Sequence, residues 1–158
     1  MSNLTNNRLN VTMTAAQITA VKNAFATIQT NMPFLLGLTI DERSSIPKID
    51  VSNKAFTEDA INAAINNNTI LPAYLNIPNM QSDLALFNQI DELLVLSRQL
   101  QEKLEDTQML AGSEAYVSSL TAYKLFGAAA DAGIAGADSI HDQLKQRFTN
   151  NGGAADQP

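Results

Sequence analysis

The stretch NMQSDLALFNQIDELLVLSRQLQEKLEDTQMLA, residues 79–111, decides the fold. At 100° per residue, Leu84, Leu86, Phe87, Ile90, Leu93, Leu94 and Val95 cover more than half of a helical circumference, as expected of a helix surrounded by others. Beyond Arg98 the pattern narrows to Leu100, Leu104, Thr107 and Ala111, a single seam with charges elsewhere. Asn79 is placed to cap this helix, which the pattern predicts from about Met80 to Ala111, roughly 45 Å long. Gly112-Ser113-Glu114 then reads as a stop and restart.

Working outward, Thr14 and Gln17 make a capping box before Ile18, Val21, Phe25, Ile28 and Met32, which recur at three- and four-residue steps. A first helix is therefore expected over Ala15 to Asn31, stopped by Pro33, with Phe25 at the centre of its buried stripe. The apolar connection Pro33 to Leu38 makes sense as a packed loop, with Phe34, Leu35 and Leu38 folded back onto a core. Thr39 and Glu42 repeat the capping-box spacing ahead of a turn or two of helix over Asp41 to Ile46. A further helix starts after Ser52, directs Phe56, Ala60, Ala63 and Ala64 inward, and frays at Asn66-Asn67-Asn68.

On the far side, Tyr116, Leu120, Tyr123, Gly127 and Ala130 line one helical face, and Gly127 permits close helix approach. Gly133 and Gly136 end that helix, and Asp138 caps a last one bearing Ile140, Leu144 and Phe148. No strand pattern and no internal repeat is present. The expected fold class is all-α: a single-domain helical bundle of four to six helices with one long central helix. The expected boundaries are an N-terminal arm over 1–13, the bundle over 14–149 and a flexible polar tail over 150–158.

Asn7-Arg8-Leu9, Pro33-Phe34-Leu35 with Gly37-Leu38-Thr39, Asp41-Glu42-Arg43 and Gly112-Ser113-Glu114-Ala115-Tyr116 resemble pieces of a group of short, uncharacterised bacterial all-helical proteins. That resemblance spans nearly the whole chain. It implies an all-helical fold and supplies no catalytic residue and no ligand.

Composition bounds the function. At 158 residues the chain is long enough to bury a real core, roughly 70% of its unfolded surface. The absence of cysteine excludes disulfides, thiolate metal ligands and a cysteine nucleophile. A net charge of −6, with ten scattered basic residues, argues against nucleic acid and against an anionic membrane surface. No apolar run is long enough for membrane insertion. The first residues, MSNLTNNRLNVTMT, have neither a basic head with an apolar stretch nor an arginine-rich amphipathic character, so a cytoplasmic location is expected. The N-x-T sequons at Asn3, Asn10 and Asn67 are then by-products of an asparagine-rich composition.

Chemistry is thinly represented. No Glu-x-x-His occurs, and the only histidine, His141, near Asp138 and Asp142, reads as a surface residue near a helix start. Glu102 with Glu105-Asp106, and Asp91-Glu92, lie opposite the apolar seam, on a solvated face. Ser113, Ser118 and Ser119 sit in no nucleophile elbow, and no phosphate-cradling glycine loop follows a strand. The sequence thus predicts no enzyme, no catalytic residue, no metal and no cofactor. The expected partner is the chain itself, as a homo-oligomer, or another protein. Its candidate seam is Leu93, Ser97, Leu100 and Leu104, at coiled-coil spacing with one polar interruption. If Gly112 makes a tight turn, the following helix covers that seam internally instead. The alternative function is a bundle that binds a small apolar or aromatic ligand, with Phe34, Leu35, Tyr116 and Tyr123 as its wall.

Overall fold

A computed structural model describes residues 7–151, with side chains through Arg147. The rest of the expected arm and tail, and the side chain of Phe148, lie outside the described residues. The protein is all-α. Among the described residues five α-helices follow one another: α1 (Ala15–Asn31), α2 (Ile40–Ser45), α3 (Val51–Asn66), α4 (Ile77–Asp131) and α5 (Ala137–Asn151), with one 3-10 turn over Asn68–Ile70.

The helix starts follow from local hydrogen bonding. Thr14 Oγ1 accepts from the Gln17 N–H at 3.2 Å while Gln17 Oε1 accepts from the Thr14 N–H at 2.8 Å, closing the expected box. In α2 the Thr39 N–H and hydroxyl donate to Glu42 Oε2 at 2.7 and 2.9 Å. These two bonds, the backbone one first, hold the Glu42 carboxyl below its ordinary value of about 4.5. A lowered folded-state value means that the box stabilises α2 above pH 4.5 and that this contribution is lost as pH falls through the lowered value. A carboxyl-carbon NMR titration of Glu42 is expected to reach its midpoint below 4.5, and a midpoint at or above it would contradict the box.

The structure corrects several boundaries and faces. α3 begins at Val51, capped by Asp50 Oδ1, which accepts from the Asn53 N–H at 2.7 Å. α4 begins at Ile77, not after Asn79: Asn76 Oδ1 accepts from the Asn79 N–H at 3.0 Å, and Pro78 falls in the first turn, where a missing N–H costs no helical bond. The larger correction is at Gly112, where no stop occurs. α4 runs on to Asp131, 55 residues in one helix. One mid-helix glycine costs only about 1 kcal/mol relative to alanine, too little to break a helix with cooperative turns on both sides. The internal fold-back at Gly112 is thereby ruled out.

α4 ends instead in a Schellman motif. Gly133, at φ 74°, donates to the Ala130 carbonyl at 2.9 Å, and Ile134 donates to the Ala129 carbonyl at 3.0 Å. Asp138 lies in the first turn of α5, behind Ala137, and so is not its cap.

Two compact units divide the chain within α4: Thr12–Leu100, and Met1–Val11 with Gln101–Pro158. In the first unit Ile61 and Ala64 of α3 are buried, while Phe56, expected inward, is 72% exposed. α1 buries nothing fully; Phe25, at the centre of its stripe, is 48% exposed. The connection after α1 is likewise open, with Phe34 and Leu35 more than half exposed, so it is not the packed loop its composition suggests. Among the described residues of the second unit, Ala137 is buried.

Candidate functional site

The last turns of α1 lie beside the middle of α4, within the unit Thr12–Leu100. Thr27, Ile28, Asn31 and Met32 on one side, and Leu93, Leu96, Ser97 and Leu100 on the other, line a groove of about 410 Å³. Three of the four expected seam residues, Leu93, Ser97 and Leu100, are thus brought to one surface. Leu104, one turn further along α4, is 55% exposed and belongs to the other unit. The contribution of Ile28 and Met32 was not readable in the sequence, because it depends on which helices become neighbours.

The groove is apolar by construction. Thr27 donates its hydroxyl to the Asn23 carbonyl at 2.8 Å, and Asn31 Nδ2 donates to the Thr27 carbonyl at 2.9 Å, so both residues spend polar groups on α1's own backbone. Among the described residues no titratable side chain lines it. A general acid, a general base or a nucleophile with its base is therefore not assembled there. Its leucines remain open, with Leu93 at 41%, Leu100 at 46% and Leu96 at 61% exposure. α4 carries a second apolar concavity of about 300 Å³ over Leu86, Phe87, Ile90 and Leu94, edged by Asp83 and Asp91. Of the wide apolar face expected over residues 84–95, Leu86, Phe87, Leu93, Leu94 and Val95 stay partly open, at 37–46% exposure.

The four residues expected to form a ligand wall are divided between the units. Phe34 and Leu35 lie in Thr12–Leu100, and neither lines the groove. In the other unit Tyr116 is 58% exposed, whereas Tyr123 stacks on His141 with ring centroids 4.7 Å apart and planes 18° from parallel. His141 is half-buried there, over Gly127: a Cβ at Gly127 would stand 3.1 Å from His141 Nε2. The glycine thus provides the close approach between α4 and α5. Among the described residues no three histidine or carboxylate side chains gather in a way that could hold a metal ion.

A further contact was not foreseen. The Glu114 carboxylate accepts the Arg8 N–H at 2.7 Å and the Leu9 N–H at 3.3 Å, while Asn7 Oδ1 accepts the same Leu9 N–H at 3.2 Å. Glu114 is therefore an anchor for the chain's first described residues, not part of a helix break. Asn7-Arg8-Leu9 and Gly112–Tyr116, two pieces singled out in the sequence, meet at this carboxylate.

No family model, no curated protein and no solved structure matches this chain. Among the described residues no helix is long and apolar enough to cross a membrane.

Proposed function

We infer that this protein works through protein contacts, as a self-associating structural or adaptor subunit without a catalytic step of its own. The observation that carries the reading is the open apolar face of α1 and α4. Ile18, Val21, Phe25 and Ile28 on α1, with Leu86, Phe87, Leu93, Leu94, Val95, Leu96 and Leu100 on α4, each keep more than a third of their surface accessible. Exposed large apolar side chains in this number on two neighbouring helices mark an association surface. Its cost in water is considerable, since fully burying one such side chain is worth roughly 1.5–3 kcal/mol.

A second reading, a small apolar ligand held against α1 and α4, draws on the volume of the groove, about 410 Å³. Ligand sites of roughly 300–1,000 Å³ are usually concave and carry a few convergent polar groups that fix orientation. The Thr27 hydroxyl and the Asn31 amide nitrogen turn to their own helix instead, which favours a protein face over a small molecule.

Light scattering after size exclusion, over a concentration series of the full chain, separates the two. Self-association predicts a mass that is a multiple of 17.0 kDa and falls on dilution. A monomer at tens of micromolar would overturn it, and a native mass spectrum of that monomer with a retained small molecule would support the second reading.

A further inference from the structure

The second concavity on α4, about 300 Å³, has its walls from a single helix. Asp83, Phe87 and Asp91 form one row at four-residue steps, and Leu86, Ile90 and Leu94 form the next. Rows of this kind are the ridges of a helix surface, and the hollow between two of them takes a ridge of a neighbouring helix. A small molecule is a poor occupant, because ligand sites enclose about 70–90% of what they hold, whereas one helix supplies only a floor and low sides. The groove is shaped for a helix.

Charge then selects which helix. Phe87 is 37% exposed, Leu86 40% and Leu94 43%, with Ile90 half-buried among them. Asp83 and Asp91 stand exposed at the two ends of the Phe87 row, about 12 Å apart along the axis. Among the described residues neither carboxylate has a hydrogen-bond or ion-pair partner. Over residues 77–97, α4 carries Asp83, Asp91 and Glu92 but no lysine or arginine. At 100° per residue Glu92 falls on the far side, and Arg98, about 10 Å past Asp91, ends the acidic stretch. Apolar side chains bordered by two unpaired acids suit a partner that is apolar along its middle and basic at its edge.

Spacing excludes a second copy as that partner. Two cations seven residues apart on one helix, about 10 Å, meet both carboxylates when that helix lies nearly along α4, with axes about 20° apart. No two of the ten lysines and arginines of this chain lie seven or eight positions apart. We propose that α4, between Asp83 and Leu94, docks a basic amphipathic helix of another protein. Its apolar ridge lies between the Phe87 and Ile90 rows, and two of its lysines or arginines pair with Asp83 and Asp91. This contact goes beyond self-association and does not depend on it: Leu93, Leu96, Ser97 and Leu100, beside α1, lie roughly 100° further round α4.

The probe is a labelled synthetic helical peptide with leucines at three- and four-residue steps and two lysines seven apart at the edge of that face. A twin peptide carries glutamates in place of the lysines. Fluorescence anisotropy with the full chain is expected to show the lysine peptide binding at least about tenfold tighter than its twin at low salt, a gap that closes as salt rises. Asp83→Asn with Asp91→Asn is expected to erase that preference with helical circular dichroism unchanged. Glu102→Gln with Asp106→Asn removes two charges outside the groove and is expected to keep it. Phe87→Ala is expected to weaken the lysine peptide by at least about tenfold. Equal binding of the two peptides, or a preference that survives the loss of both aspartates, would overturn the site. So would an equal fall with Glu102→Gln and Asp106→Asn, the mark of a general attraction to an acidic chain. Full displacement by an equimolar alkylammonium salt would put a small cation in the groove and overturn the helix. A wild-type monomer with the expected peptide preference would overturn self-association and leave this contact standing, and an oligomer without that preference would do the reverse.

Discussion

Gly112→Pro is expected to destabilise the protein by about 3 kcal/mol or more, while Gly112→Ala at the same position stabilises it by up to about 1 kcal/mol. Proline removes the N–H that donates to the carbonyl four residues back, at Gln108, and its ring clashes with that carbonyl in the middle of a 55-residue helix. Alanine keeps the N–H and lowers the entropy of the unfolded chain, and its Cβ meets nothing within 4 Å. Urea denaturation followed by circular dichroism reads both changes. Were Gly112 a turn between two helices, the order would reverse, with proline tolerated and alanine neutral or harmful.

Ile61→Ala is expected to cost about 2–5 kcal/mol, because the side chain is 5% exposed and its removal leaves a cavity inside the unit Thr12–Leu100. Phe56→Ala, five positions earlier on the same helix, is expected to change stability by no more than about 0.5 kcal/mol, since Phe56 is 72% exposed. The pair is informative because the larger aromatic side chain gives the smaller loss. Equal losses in a denaturant series would mean that the buried face of α3 has been misplaced.

What the sequence made legible is what short spacings determine. Thr14 with Gln17 and Thr39 with Glu42 state their capping boxes in four residues each, and α1 has the expected span, Ala15 to Asn31. The start of α4 was misplaced because Asn76 caps from ahead of a proline that reads as a barrier. Its continuation was missed because glycine's local cost was weighed without the helical turns on both sides of Gly112. Burial was least legible. Periodicity identifies an apolar face but not whether anything covers it, so Phe25 and Phe56 passed as core residues while Ile61 was overlooked. The same limit applied at the groove: the spacing of Leu93, Ser97 and Leu100 was visible along α4, but the approach of Ile28 and Met32 was not.

The grip of Glu114 on the first described residues bears on how this chain can change over generations. Both bonds are donated by main-chain amides of residues 8 and 9, so the clamp does not depend on which side chains those positions carry. Arginine and leucine there are free to drift under mutation, with proline the one exchange that removes the donor outright. The constraint falls on the carboxylate alone, because aspartate is a methylene shorter and glutamine offers a single uncharged acceptor in place of two charged oxygens. A tether of this kind can persist while the sequence of its arm diverges beyond recognition.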